Sequence, residues 1–385
     1  MSGFSDVQAP LSRISGDIAE VSSPGDAVKI VPPANGEPPS SAKVGGVRRG
    51  PFQPGDRVQL TDPRGRLNTI TLQPGGSFQS HKGWFQHEQL IGKPEGSVIA
   101  NTEGVEYLAL RPLLPDFVIS MPRGAQVIYP KDAGQIIAMA DIFPGARVVE
   151  SGVGSGGLTM PLLRAVGDGG ELHSIEIRPE FAEVARGNVA AFFGELPVAW
   201  QLHIGAFSEV IGNIAEPGSI DRIVLDMLAP WENITAAALA LAPGGVFCAY
   251  VATTTQLSRL AEDLRLSESF TEPVAFETMV RTWHLEGLAV RPDHRMIGHT
   301  GFLLIARRMA PGVLPPMRKR RPAKGSYSSE NEPSVEITRP EYAQEFTDEA
   351  LEVRPIGARK LRKVRRDLRK LEVNEVIEEN DEPEY

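Results

Sequence analysis

One stretch constrains this chain more than any other: Arg147-Val148-Val149-Glu150-Ser151-Gly152-Val153-Gly154-Ser155-Gly156-Gly157-Leu158-Thr159. A run rich in β-branched valine leads into clustered glycines, after which Leu158, Leu162, Leu163 and Val166 recur at helical spacing. That order predicts a strand, a tight turn and a helix start, the opening of a nucleotide-binding α/β unit. In such a unit the glycines let a ligand approach the backbone, and the N–H groups at the helix start face it.

Spacing alone leaves the ligand open. Gly152, Gly154 and Gly157 satisfy G-x-G-x-x-G, which suits a dinucleotide such as NAD. Gly152, Gly154 and Gly156, with Glu150 before them, satisfy E-x-G-x-G-x-G, the form found with S-adenosylmethionine (SAM). A glycine loop with no ligand satisfies both patterns as well, so the rest of the chain must decide.

The chain has 385 residues, 41% hydrophobic and 23% charged, which is ordinary for a globular protein with more than one domain. A net charge of −9 means that any contact with nucleic acid must come from local patches. The single cysteine, Cys248, lies in an apolar strand-like run and excludes an intrachain disulfide or a cysteine-clustered zinc site. No apolar run approaches the roughly eighteen residues of a membrane helix, and the N-terminus has no signal-like segment, so a cytoplasmic protein is expected.

Composition divides the chain into four. Residues 1–47 are rich in Pro, Gly, Ser and Ala without periodicity, predicting a disordered arm. Residues 48–116 hold short alternating runs (Arg57–Leu60, Thr69–Leu72, Val98–Ala100, Tyr107–Leu110) punctuated by turns such as Asp62-Pro63-Arg64-Gly65, predicting a small β-barrel-like domain. His81, Lys82, Trp84 and His87 cluster within it and read either as a contact for nucleic acid or, the commoner case, as surface loop residues. Residues 117–312 alternate helix and strand. Asp132 with Gln135 forms a capping-box pattern for a helix through about Ala140. Strands follow at Glu171–Glu176, Val198–Ile204, Asp221–Asp226, Val246–Val251, near Met279–Leu288, and at Gly301–Ala306. Helices are expected at Phe181–Phe193, about Glu232–Leu241 and Leu257–Leu264. This predicts a doubly wound α/β sheet covered by helices on both faces. Residues 313–385 form a charged tail with a basic patch (Arg318–Lys324), a possible basic helix (Arg359–Lys370, with Leu361, Val364, Leu368 and Leu371 at helical spacing) and an acidic end. The basic helix reads equally as a phosphate- or protein-docking element and as a solvated tail neutralised by the adjacent acids.

Ligands of open α/β sheets bind beyond the carboxyl ends of the strands. Glu150, Glu176 and Asp226 stand at such ends. Glu176 follows the glycines by about twenty residues, where an acid accepts hydrogen bonds from a ribose diol of NAD or SAM alike. The discriminating stretch is Asp226-Met227-Leu228-Ala229-Pro230-Trp231-Glu232. An acid at a strand end, then a proline and an aromatic, resembles the Asp/Asn-Pro-Pro-aromatic signature of enzymes that methylate base nitrogens. A planar base needs a stacking surface, and a carboxylate can take hydrogen from its exocyclic amine.

Taken together, Tyr129-Pro130-Lys131-Asp132, Glu150–Thr159, Glu176-Ile177-Arg178-Pro179, Asp226–Glu232 and Gly298-His299-Thr300-Gly301-Phe302-Leu303 resemble the TrmI family of tRNA adenine-N1 methyltransferases, which modify adenine 58. Asp226–Glu232 and Tyr250–Leu257 look particularly like the actinobacterial branch. The resemblance covers about residues 50–312. It implies a seven-strand SAM-methyltransferase sheet, SAM as cofactor, tRNA as partner and a homotetramer. It assigns Glu150, Gly152, Gly154, Ser155, Gly156, Gly157 and Leu158 to cofactor binding, Glu176 to the ribose, and Asp226 to a place between cofactor and adenine. Asp226 and Tyr129 are the expected catalytic residues, Tyr129 overhanging the site, with Trp231, His299 and Thr300 shaping the base pocket. Two positions depart from the pattern. Phe181 stands where the family often has a histidine near the cofactor, and Glu209 is the nearest acid to the place where relatives hold the adenine of SAM. The alternatives carried forward are methylation of another RNA base and an NAD-dependent oxidoreductase.

Overall fold

The computed structural model describes residues 49–316 and 361–367. The expected arm over 1–47, the basic patch at 318–324 and the acidic end lie outside the described residues.

The N-terminal part is built from β1 (Arg57–Thr61), β2 (Leu67–Thr71), β3 (Ser77–Ser80), β4 (Gly83–Gln86), β5 (Ser97–Ala100) and β6 (Glu106–Leu110). Four of these form an antiparallel sheet in the order β2-β1-β6-β5, and β3-β4 is a separate hairpin. Alternation drives it: Val58 and Leu60 are fully buried between the more exposed Arg57, Gln59 and Thr61. They meet Phe52, Leu72, Phe78, Phe85 and Tyr107 in a small core of their own. The Asp62 turn forms as expected, its carboxylate accepting from the N–H groups of Arg64 and Arg66, both at 2.8 Å. His81, Lys82 and Trp84 are exposed, whereas His87 is buried, a departure from its reading as a surface residue.

Helices α1 (Leu114–Ser120) and α2 (Pro130–Met139) lead into the second fold. There β7 (Arg147–Ser151), α3 (Thr159–Val166), β8 (Glu171–Glu176), α4 (Pro179–Phe193), β9 (Trp200–Ile204), α5 (Phe207–Ile214), β10 (Ile220–Asp226), α6 (Ile234–Ala240), β11 (Leu241–Val251) and α7 (Thr254–Leu266) alternate. Four short strands close the chain: β12 (Val274–Phe276), β13 (Trp283–Glu286), β14 (Ala289–Pro292) and β15 (Phe302–Arg307). Seven strands make one sheet in the order β12-β15-β11-β10-β7-β8-β9, the seven-strand doubly wound arrangement expected. From β11 to β9 the strands run parallel, and β15 is antiparallel to both of its neighbours. One face packs on α2, α3 and α4 through Ile136, Leu162 and Val189, the other on α5, α6 and α7 through Ile211, Ala237 and Leu260. The chain moves outward from β7 to β9 and then returns to β10, so strand order reverses between β7 and β10. That switch point is where such sheets bind ligands.

Four details differ from the sequence reading. The seventh strand is β12, while the expected strand near 279–288 becomes the first arm of a hairpin outside the sheet; Gly287, at φ 52°, opens its two-residue turn. The helix expected from Glu232 starts later, after a 3-10 turn at Pro230–Asn233, and gives way to β11 at Leu241. The register of β10 on β11 shifts where β11 passes through Ala242-Pro243-Gly244-Gly245. Finally, α2 starts at Pro130 with Tyr129 as its N-cap, so Asp132 is not the cap. Proline at the first helical position moves the start forward and leaves the Asp132 carboxylate for another use.

Candidate active site

The glycine loop joins β7 to α3 at the switch point. Gly152, at φ 92°, lies against β10: a Cβ there would stand 1.8 Å from the Asp226 carbonyl oxygen. Only glycine fits, and the loop and Asp226 are thereby held back to back. The Gly154 N–H donates to Glu176 Oε2 at 2.9 Å, which brings the loop to the end of β8. Gly156 faces Ala185 of α4 and Gly157 faces Val127. Ser155 and Leu158 turn inward. Ser155 is 1% exposed, its hydroxyl accepting from the Gly124 N–H at 3.2 Å, and Leu158 lies in the core. What this stretch offers a ligand is therefore backbone rather than these two side chains.

The acids differ in setting. Glu150 is buried beneath the loop, where Oε2 accepts from Thr159 and Ser174, each at 2.8 Å. Oε1 has no hydrogen-bond partner among the described residues. Burial pushes its carboxyl up to about 7, against the opposing pull of those hydroxyls. Glu176 is also buried, and its Oε1 accepts from the Arg178 N–H at 3.1 Å. The Arg178 guanidinium covers the ring of buried Phe181 at 3.7 Å. Asp226 is half-buried at the end of β10, pushed up to about 7 by burial and then by the charge of Glu176.

Beside Asp226, in register on β11, stands Tyr250. Burial raises its hydroxyl to about 12, and Asp132, Asp226 and Tyr129 all lie close enough to act on it electrostatically. Gly301, just before the neighbouring strand β15, must lack a side chain for this ring to fit, since a Cβ there would collide with the Tyr250 ring. Asp132 accepts from Lys131 Nζ and from the Thr300 hydroxyl, both at 2.7 Å, and Lys131 also reaches the Thr278 carbonyl at 2.6 Å. Half-buried Tyr129 begins α2 next to this network. His299 is exposed, with Nδ1 3.0 Å from Glu277 Oε2 and Nε2 3.1 Å from the Ala252 carbonyl. The Glu277 carboxylate, then the carbonyl, raises the His299 imidazole above its ordinary value.

The structure thus brings Tyr129, Glu150, the glycine loop, Glu176, Asp226 and Thr300 to one end of the sheet. One expected residue is placed differently. Trp231 is 6% exposed in the core beside α7, its ring 4.2 Å from the Arg259 guanidinium, so it is no open stacking surface. Proline at Pro230 turns the chain inward before the indole. Glu209 is exposed in the first turn of α5. Sequence reasoning missed Tyr250 and the Lys131–Asp132–Thr300 network; for Tyr250 the signal was its position at the carboxyl end of the strand beside Asp226. It also missed Gln256, whose Nε2 donates to the Leu228 carbonyl at 3.0 Å and anchors the loop after Asp226.

The chain is similar to known proteins. The TrmI-like N-terminal model matches residues 50–99, and the model of the tRNA methyltransferase complex GCD14 subunit matches residues 107–289. The chain is 36% identical over 253 residues to a Thermus thermophilus protein, tRNA (adenine(58)-N(1))-methyltransferase TrmI, covering 65% of this chain and 95% of that one. It is 34% identical over 233 residues to tRNA (adenine(57)-N(1)/adenine(58)-N(1))-methyltransferase TrmI of Methanocaldococcus jannaschii, covering 55% and 82% respectively. Among solved structures, tRNA (m1A58) methyltransferase TrmI from Aquifex aeolicus superposes with a TM-score of 0.60 at 25% identity, over 68% of this chain and all of that one. A SAM-dependent O-methyltransferase from Thermotoga maritima gives 0.63 at 28% identity, over 70% and 96%.

Proposed function

The chain belongs to the TrmI family of tRNA methyltransferases, and from that premise we propose how its own residues serve the SAM-dependent methylation of N1 of adenine 58 in tRNA. Family membership leaves the dinucleotide reading of the glycine spacing without support. The observation that carries the assignment is the Gly152–Asp226 contact, which fixes the nucleoside-binding loop and the base-facing acid as one unit.

The residues present fit SAM. Gly152, Gly154, Gly156 and Gly157 form a backbone cradle with no projecting side chain, and Glu176 offers a buried carboxylate for the ribose hydroxyls. Glu150 supports the cradle from beneath, and Phe181 packs behind Glu176 under Arg178. The adenine of the cofactor is assigned to Glu209, exposed in the first turn of α5, together with the backbone after Gly205. When bound, SAM supplies an electrophilic methyl group on a sulfonium. Because N1 of adenine already carries a lone pair, the protein needs no strong base for attack, and alignment is its main task. Asp226 faces the positive charge that develops on the ring and accepts the N6 proton afterwards. Tyr129 and Tyr250 border the base, while Lys131, Asp132 and Thr300 tie the first turn of α2 to the segment that enters β15. His299 ties the segment at Glu277 to the end of β11.

The division into a β-domain over 48–116 and a catalytic domain over 117–312 belongs to this reading, as does a cytoplasmic setting; no described helix is long and apolar enough to cross a membrane. A homotetramer is proposed as well. It is supported by the β13–β14 hairpin, where Leu285, Leu288 and Val290 are 74%, 104% and 59% exposed. The activity is tested by incubating the purified protein with SAM and unmodified tRNA, then digesting the RNA. N1-methyladenosine mapped to position 58 is expected; methylation of another base would replace this assignment.

A further inference from the structure

Away from the acids lies a cavity of about 1040 Å³. Its walls come from distant parts of the chain: the β-domain at Arg57 and His87, the segment 119–126 at Arg123 and Gln126, and the C-terminal basic helix at Lys363 and Asp367. Arg57 opens β1 with its guanidinium 4.5 Å from the Phe117 ring. Its Nε and Nη1 are buried, with no hydrogen-bond partner among the described residues. His87 is 6% exposed, and its Nδ1 accepts from the Gln73 N–H at 3.0 Å. The ring proton therefore belongs to Nε2, which is likewise buried without a partner. Donors left this way are costly unless an acceptor meets them, and an anionic oxygen is the strongest acceptor available.

The third wall is an addition to the family pattern, whose models end at residue 289. Residues 361–367 are helical. Val364 is 4% exposed and packs on Val184 of α4, and Arg365 Nη2 lies 3.1 Å from Glu183 Oε2. This docking presents Lys363 to the cavity.

We propose that this cavity holds a backbone phosphodiester of the RNA substrate, with Arg57 and His87 as fixed donors and Lys363 of the docked C-terminal helix completing the site. The proposal rests on the tRNA reading above and adds the place where the RNA backbone is gripped. RNA is favoured over a small free anion because the cavity is far larger than one phosphate and adjoins the cofactor loop. Its 119–126 wall is bonded to that loop and to α4, the Gly124 N–H to Ser155 and the Pro122 carbonyl to Asn188 at 2.8 Å.

The test is tRNA affinity of the full-length protein across a salt series, by fluorescence anisotropy, for wild type, Arg57→Gln, Lys363→Gln and the charge-neutral Val364→Ser. Arg57→Gln and Lys363→Gln are expected to weaken tRNA binding by roughly tenfold at low salt. Each should also lower the slope of log affinity against log salt by about 0.7–0.9, the signature of one lost phosphate contact. Val364→Ser should act in the same direction, because undocking the helix withdraws Lys363 without changing the net charge. Calorimetry with S-adenosylhomocysteine should show cofactor affinity held in all three. If Arg57→Gln melts early, Lys363→Gln and Val364→Ser on the surface helix decide the matter. Wild-type affinity and slope in the variants, with wild-type protein still methylating tRNA, would overturn the site and leave the activity standing. Failure of wild type to bind or methylate tRNA would overturn both. Equal loss of inorganic phosphate binding with tRNA affinity unchanged would make it a small-anion site and overturn the RNA assignment.

Discussion

Glu150 and Asp226 share a carboxyl pushed up to about 7, yet each answers to pH in its own way. Asp226 is assigned to work as a carboxylate. The second-order rate of methyl transfer at subsaturating SAM and tRNA, which reports the ligand-free protein, should therefore rise with pH up to about 7 and level off above it. Asp226→Asn should slow that step by roughly a hundredfold or more and flatten the rise while SAM still binds. A profile unchanged in the variant would remove Asp226 from the mechanism. For Glu150 the effect is on folding. Its folded value lies above the unfolded 4.5, so stability is fully present below about 4.5 and is lost as pH climbs through about 7. Glu150→Gln keeps an oxygen for Thr159 and Ser174 and discards the charge. It should recover on the order of 3 kcal/mol at pH 8 and nothing at pH 4, as read by denaturant melts at both.

Among the elements, legibility followed local chemistry. The strands around Glu150, Glu176 and Asp226 were readable because apolar runs stop at an acid, and Gly167–Gly170 marks a turn that nothing else satisfies. Helix α1 was not, since Leu114–Ser120 is too short to show a stripe and carries a proline. The β13–β14 hairpin read as one sheet strand because its apolar residues look like core, although the structure leaves them exposed. Two capping patterns show why a motif needs its context. Asp132…Gln135 fails because Pro130 starts the helix two residues earlier. Thr253…Gln256 is genuine: the Thr253 hydroxyl accepts from the Gln256 N–H at 3.2 Å, and Gln256 Oε1 accepts from the Thr253 N–H at 3.1 Å. Since Gln256 also holds the Leu228 carbonyl, Gln256→Ala should cost about 1–2 kcal/mol in chemical denaturation. It should also loosen the loop after Asp226, seen as faster hydrogen exchange over Met227–Ala229. Exchange unchanged there would mean that Pro230 alone fixes the loop.

At the scale of the whole molecule, the exposed hairpin and the docked helix at 361–367 carry the proposals for how the chain meets itself and its substrate. Leu285→Glu with Leu288→Glu should shift the assembly to a smaller species in light scattering while the monomer fold persists, because neither side chain is buried within the chain. A tetramer surviving both substitutions would place the interface elsewhere. The docked helix has a consequence for regulation. Helix α4 touches the glycine loop through Ala185 and the docked helix at 361–367 through Glu183 and Val184, so neighbouring residues of one helix meet both. Any shift of α4 that favours one ligand must be felt by the other, and thermodynamic reciprocity makes the two effects equal. The factor by which S-adenosylhomocysteine changes tRNA affinity is then the factor by which tRNA changes affinity for S-adenosylhomocysteine, so the two products hold or loosen each other to the same degree.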